Sequence, residues 1–316
     1  MTVPATLDTV AVVGNGRVGH GMAQIFAAAG HRVVMIGRRE ESLAAAMDLI
    51  AKSLAGFEAH GLVTAGDAGA ALGRIRTSTA LKDAAEAQLV LEAVPAERAV
   101  QDEVYGRLDA ICAPPAVLAS GSGQPASELV SDVTHRGRVV AAHFWYPPQL
   151  IPLVEVCAGP ESDPDVAPWL CGVLRAAGKE PVIVDKEVPG FIGNRLQYAI
   201  LREAWALWAE GAASAQAIDT VVKASFGRRL AITGPIESAD IGGLDVLHAF
   251  GAYLIPHLKT GSRPAQAVSA LVDAGHRGLP SGRGVYDWSA RDGDALLEDR
   301  EEELFRHLAR DKARRQ

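Results

Sequence analysis

This sequence is poor in cysteine, carries no excess of positive charge and has no long apolar run. Three cysteines, Cys112, Cys157 and Cys171, are widely spaced and odd in number, with no C-x-x-C. They read as reduced thiols rather than a disulfide frame or a zinc site. No His/Cys/Asp cluster has metal-ligand spacing, so no metal is expected. No apolar run reaches the ~18 residues of a membrane span. The start, "MTVPATLDT", has neither the basic nor the apolar region of a secretory signal. Lysine and arginine number 31 against 38 acidic residues, and the formal net charge of −7 argues against a general nucleic-acid binder. A cytoplasmic protein with small-molecule partners, and with neither nucleic acid nor membrane, is expected.

What is present is an ordinary globular composition, 48% hydrophobic and 22% charged, in 316 residues, enough for two domains. In "TVAVVGNGRVGHGMAQIFAAAGHRVVMIGRRE" a β-branched run, a helical spacing and a second strand-like run follow one another. That is a βαβ unit, whose parallel strands need the crossover helix. Further strand-like runs lie at 74–79, 88–94, 116–120, 138–143, 153–156 and 181–184. Helical stretches at 41–60, 97–111 and 163–177 separate most of them. The alternation predicts an α/β fold with a Rossmann-type, mostly parallel sheet covered on both faces. After "VPGFIGNR" at 188–195 only helical periodicity remains. A dinucleotide-binding domain over 1–186 and an all-helical substrate and dimerisation domain over 187–316 are therefore expected.

Gly14, Gly16 and Gly19 form G-x-G-x-x-G between strand and helix. The first glycine makes the tight turn, the second lets a pyrophosphate approach the backbone, and the third lets helix pack on strand. The helix N-terminus offers free N–H groups and positive dipole charge to the phosphates. Cofactor contacts are expected from Arg17 and Val18 within this loop, and from Glu97 and Ser120 further along. An NAD site usually has a carboxylate at the end of the second strand. Here that place is Gly37, followed by Arg38 and Arg39. Guanidinium groups match a 2′-phosphate in charge and shape, so NADP is favoured over NAD. In the alternative reading Arg38 stacks on the adenine and Arg39 caps a helix beside Glu40 and Glu41.

The stretch "HFWYPPQLIPLVEV", 143–156, places His143 and Glu155 either side of two prolines that exclude a helix between them. Its pattern, H-F-x-x-P-P-x-x-I-P-L-V-E-V, followed by P-G-F-I-x-N-R, resembles the 3-hydroxyacyl-CoA dehydrogenase family. The similarity is greatest to the branch with L-gulonate 3-dehydrogenase, lambda-crystallin and the carnitine dehydrogenases. It covers nearly the whole chain, including "GRGVYDWSARD" at 282–292.

The resemblance implies hydride transfer between a nicotinamide cofactor and the 3-hydroxyl or 3-keto carbon of a small hydroxy acid or hydroxyacyl-CoA. His143 would be the general acid/base, suited by an unperturbed histidine pKa of about 6.5. Glu155 would hold the other ring nitrogen, as a triad carboxylate does. Asn194 would hold the substrate oxygen or the histidine, and a homodimer through the helical domain is implied.

The chain departs from the family pattern at three places. Tyr146 stands where members commonly have Asn. Gly123 stands where a substrate-contacting serine is usual, which Ser122 replaces only if the loop shifts by one. Gln101 stands where a lysine is frequent. Ser122, Tyr146 and Arg195 are the candidate substrate contacts. Among lysines and arginines, segment 41–70 carries only Lys52, which favours a free acid over a coenzyme A thioester. The alternatives are an NADP enzyme like the β-hydroxyacid dehydrogenases and imine reductases, and a non-catalytic nucleotide-binding protein of crystallin type. His20 reads as a surface residue, with phosphate contact as the alternative, and Trp205 with Trp208 as core or dimer packing.

Overall fold

A computed structural model describes residues 3–315. From its start the chain alternates strand and helix: β1 (Thr9–Val13), α1 (Gly19–Ala28), β2 (Arg32–Ile36), α2 (Glu40–Ala59), α3 (Ala65–Gly73) and β3 (Ile75–Ser78). There follow β4 (Leu89–Glu92), α4 (Arg98–Ile111), β5 (Val117–Ser120), β6 (Val139–Phe144), β7 (Leu153–Ala158), α5 (Val166–Ala176) and β8 (Glu180–Ile183). The eight strands form one sheet in the order β3-β2-β1-β4-β5-β6-β7-β8. Strand order reverses between β1 and β4, and ligands of open α/β sheets bind at such a point, outside the carboxyl ends of the strands.

Alternate residues of β1 face opposite layers: Val10 and Val12 join a core with Met22 and Phe26 of α1, Ala11 and Val13 one with Tyr105 and Leu108 of α4. Each expected strand is present, with ends shifted by a few residues at most. Helix α3 was not anticipated, although Thr64 and Asp67 form the capping box that starts it.

Only β6 and β7 pair antiparallel. Their connection, 145–152, is too short for the crossover that a parallel return requires. It carries Pro147 and Pro148, so it turns and sends the chain straight back. The resulting register sets His143 directly opposite Glu155. Side chains directly opposite on one face of a sheet are neighbours.

The rest is helical: α6 (Phe191–Ala209), α7 (Ala215–Ala224), α8 (Gly227–Leu230), α9 (Pro235–Gly242), α10 (Leu244–Leu254), α11 (Gln266–Asp273) and α12 (Gly293–Arg315). By its internal packing the chain divides into two compact units. The break falls inside α6, between Asn194 and Arg195, and the chain from Asp299 onward belongs with the sheet. Phe305 of α12, 4% exposed, explains this. It stacks on His60 with centroids 4.2 Å apart and meets Phe57 of α2 edge-on at 5.3 Å. His60 Nε2 also lies 2.8 Å from Glu302 Oε2.

The second unit, 195–298, has a different character. Gly293 is its one buried residue, while Ile236 and Ile241 are each 76% exposed and Phe250 58%. No helix among the described residues is long and apolar enough to cross a membrane. No group of three or more metal-ligating side chains occurs among them either.

Candidate active site

The carboxylate of Glu155 is fully engaged. His143 Nδ1 lies 2.8 Å from Oε2, which also accepts Trp145 Nε1–H at 3.2 Å. Oε1 accepts the backbone N–H groups of Ile192 at 2.8 Å and Gly193 at 2.9 Å, in the first turn of α6. Such N–H groups have no partner within their own helix and carry its positive dipole end. Burial alone would raise the Glu155 carboxyl, but the bonds from His143, Gly193, Trp145 and Ile192 outweigh it and hold its pKa below the ordinary value. An ionised Glu155 keeps the hydrogen of His143 on Nδ1, which leaves Nε2 as an acceptor.

The α6 start is shaped for this. Phe191, fully buried, has φ +48°, the one positive value among described non-glycine residues. Such a backbone costs about 1–3 kcal/mol and persists where its surroundings impose it. Gly193 is required by Trp145: a β carbon there would lie 2.3 Å from Trp145 Cζ2. In Gly193→Ala the indole must move off Glu155, with an expected stability loss of about 1–3 kcal/mol, read as a fall in Tm. An unchanged Tm would show that the ring yields freely.

Asn194 and His143 converge on Gly123. An atom at the β position of Gly123 would meet Asn194 Nδ2 at 3.2 Å and His143 Nε2 at 3.6 Å. A substrate oxygen placed there reaches an amide donor and a proton acceptor together.

The glycine-rich loop fits a dinucleotide. Gly14 has φ +107°, and a β carbon would lie 2.4 Å from Ala93 O. One on Gly19 would lie 1.9 Å from Gly14 O, whereas one on Gly16 would meet nothing within 4 Å. The backbone is therefore open to phosphate at Gly16. Val18 is the N-cap of α1 and makes no side-chain cap bond, so the helix start is not closed by its own side chain. At the end of β2 a β carbon on Gly37 would meet Asn15 Oδ1 at 2.6 Å. Asn15, which sequence reasoning passed over, thus stands beside the place of the usual carboxylate. Arg38 and Arg39 are exposed and have no ion-pair partner among the described residues. Arg39 occupies the N-cap position of α2 and makes no side-chain cap bond.

The family model described as 3-hydroxyacyl-CoA dehydrogenase, NAD binding domain, matches residues 9–188, and the one described as its C-terminal domain matches 190–288. The chain belongs to the 3-hydroxyacyl-CoA dehydrogenase family. It is therefore an oxidoreductase acting on CH–OH groups, and the β-hydroxyacid dehydrogenase and imine reductase alternative is set aside. It is 30% identical over 300 residues to 5-formyl-3-hydroxy-2-methylpyridine 4-carboxylate 5-dehydrogenase of Mesorhizobium japonicum, covering 94% of this chain and 96% of that one. A crystal structure of an enzyme of that name, described as an NAD+-dependent dismutase, superposes with a TM-score of 0.88 at 29% identity, over 95% of this chain and 97% of that. L-carnitine dehydrogenase of Streptomyces griseus is 35% identical over 242 residues, 76% of this chain and 71% of its own.

Among the family departures, the loop after β5 brings Gly123, not Ser122, to His143. Ser122 Oγ turns back to Ser120 Oγ at 2.9 Å and to Gln124 Oε1 at 3.4 Å, while Gly123 lies against His143. Tyr146, half exposed, carries the Arg17 guanidinium 4.9 Å from its ring centroid. This ties the glycine-rich loop to the segment after β6. Glu97 is exposed at the N-cap of α4, and Arg195, also exposed, opens the second unit. His20 is not a surface residue: it is 9% exposed, with Nδ1 2.7 Å from Gly16 O. All three cysteines are buried, which pushes the Cys112 and Cys157 thiols up to about 11.

Proposed function

We propose that this family member is an NADP-preferring dehydrogenase that interconverts the hydroxyl and keto forms of a small free hydroxy acid, with His143 as general acid/base. The carrying observation is the 2.8 Å contact between His143 Nδ1 and a Glu155 whose every oxygen is engaged. With Nδ1 held by Glu155, the other ring nitrogen, Nε2, is the one that faces Gly123 beside Asn194, where a substrate oxygen can meet it. In oxidation His143 Nε2 takes the hydroxyl proton, and Glu155 stabilises the resulting imidazolium. Asn194 Nδ2 donates to the substrate oxygen as it gains carbonyl character. A nicotinamide dinucleotide held along the Gly14–Gly19 loop would supply the hydride acceptor for oxidation and the donor for reduction.

The small-acid reading rests on segment 41–70, with Lys52 its one lysine or arginine. The names of two relatives, a pyridine carboxylate dehydrogenase and L-carnitine dehydrogenase, point the same way. Arg195, next in the chain after Asn194, is the proposed partner of the substrate carboxylate, with Tyr146 as a second proposed contact. The second unit's uncovered apolar residues support a homodimer, and the composition a cytoplasmic one.

Arg38, Arg39 and the absence of a carboxylate at Gly37 support NADP. In a fluorescence titration NADPH is expected to bind at least about tenfold more tightly than NADH, an advantage that Arg38→Ala abolishes. Equal or tighter NADH binding would overturn the NADP preference. Asn15 would then be the ribose contact to test.

A further inference from the structure

Glu92 is a buried acid that the proposed chemistry does not use. It ends β4 at the point where strand order reverses, paired with Val13 of β1 on one side and Ser120 of β5 on the other. It is 1% exposed. Oε1 accepts Val94 N–H at 2.7 Å; Oε2 accepts Ser120 Oγ–H at 2.9 Å and Gln101 Nε2–H at 3.4 Å. All three donors are neutral, and no cation pairs with Glu92 among the described residues. One further polar atom beside this cluster, Gln101 Oε1 on α4, is buried without a partner.

A lone carboxylate is costly in such surroundings, whereas a neutral acid is tolerated if its own proton is donated. The acceptor for that proton is at hand. Half a rotation of the Gln101 amide brings the unpartnered Oε1 to the place where Nε2 now faces Glu92. Burial also raises the Glu92 carboxyl more than the bonds from Ser120, Val94 and Gln101 lower it.

We infer that Glu92 is a neutral carboxylic acid paired with the Gln101 amide, and that this pair positions the 120–124 loop at the reacting centre. Ser120 is the joint. Its Oγ bonds Glu92, lies 2.9 Å from Ser122 Oγ and accepts Ser122 N–H at 3.2 Å. Two residues on, Gly123 abuts His143 and Asn194. A lysine at 101 would make the pair ionic; glutamine holds the same loop with no charge. Glu92 is thus a positioning residue. Its effect on turnover rests on the role proposed for His143, but its protonation does not.

Infrared spectra of full-length protein labelled with 13C-glutamate test this at neutral pH. A protonated-carboxyl stretch is expected in the wild type, lost in Glu92→Gln and lost in Gln101→Lys, where the ammonium ionises the acid. Turnover in Glu92→Gln is expected to stay within about threefold of wild type, since the amide can bond both Ser120 and Gln101. Glu92→Ala should lower kcat about tenfold at an unchanged KM for cofactor. Absence of the stretch from the wild type would overturn the inference, as would a Glu92→Gln loss as large as that of Glu92→Ala. If the wild type turns over no hydroxy acid, the functional reading fails, and the spectrum decides Glu92 without it.

Discussion

In Glu155→Gln, kcat is expected to fall by about three to four orders of magnitude while the protein stays folded. The amide is the same size, and its oxygen can still accept the N–H groups of Ile192 and Gly193. Its nitrogen, however, would then face His143 as a donor and force the ring hydrogen onto Nε2. The histidine would offer a hydrogen where the substrate hydroxyl needs an acceptor. Nitrogen-15 spectra of the imidazole report the tautomer directly. Full activity with the hydrogen on Nε2 would remove His143 from the reaction.

The same substitution has a consequence in acid. The Glu155 pKa is depressed in the folded protein, since the bonds from His143, Gly193, Trp145 and Ile192 outweigh burial. A depressed carboxylate contributes stability fully above its unfolded pKa of about 4.3, and that contribution is lost as pH falls through the folded value. The stability gap between wild type and Glu155→Gln is therefore expected to be constant near neutrality and to shrink only below about pH 4. Thermal unfolding across that range measures it; a gap that narrows above pH 6 would contradict the ionised assignment.

Aspartate at both Ile241 and Phe250 is expected to turn a wild-type dimer into a monomer. Helices α7 to α11 contain no buried residue, yet Ile241, Leu244, Phe250 and Tyr253 expose more than half their area. Apolar patches of that extent are uncommon on monomers and mark interaction surfaces. A second copy of the chain is the proposed cover. Each large apolar anchor at an interface is worth about 2 kcal/mol or more, so two charged replacements weaken association about a thousandfold. Sedimentation velocity resolves this at micromolar protein. A wild type that sediments as a monomer would remove the dimer from the proposal.

Most of the sheet and the central pair were legible because local rules and global fold agree there. The β-branched runs and the glycine fingerprint announced the strands and the nucleotide loop, and the resemblance to the family singled out His143 and Glu155, which the antiparallel register of β6 and β7 sets opposite each other. What escaped depends on contacts distant in sequence or on backbone angles. Nothing in "GFIGNR" says that Phe191 adopts φ +48° so that two N–H groups can face Glu155. The burial of Glu92 and its neutral neighbours follows from the meeting of β1, β4 and β5. His20 looked exposed because it flanks a loop, yet the first turn of α1 packs inward. For Ser122, the sequence left two loop registers open, and only the bond to Ser120 chooses between them.

The packing of Phe305 on His60 and Phe57 imposes an order on the birth of the protein. Residues beyond 298 are polymerised after the whole of the helical unit, yet they cover α2, which leaves the ribosome some two hundred and forty residues earlier, the separation of His60 from Glu302 being 242. The nucleotide-binding unit thus begins first and finishes last. During synthesis the aromatic face of α2 stays bare while an apolar helical unit forms downstream. That interval is when a nascent chain of this kind is most exposed to chaperones and to aggregation.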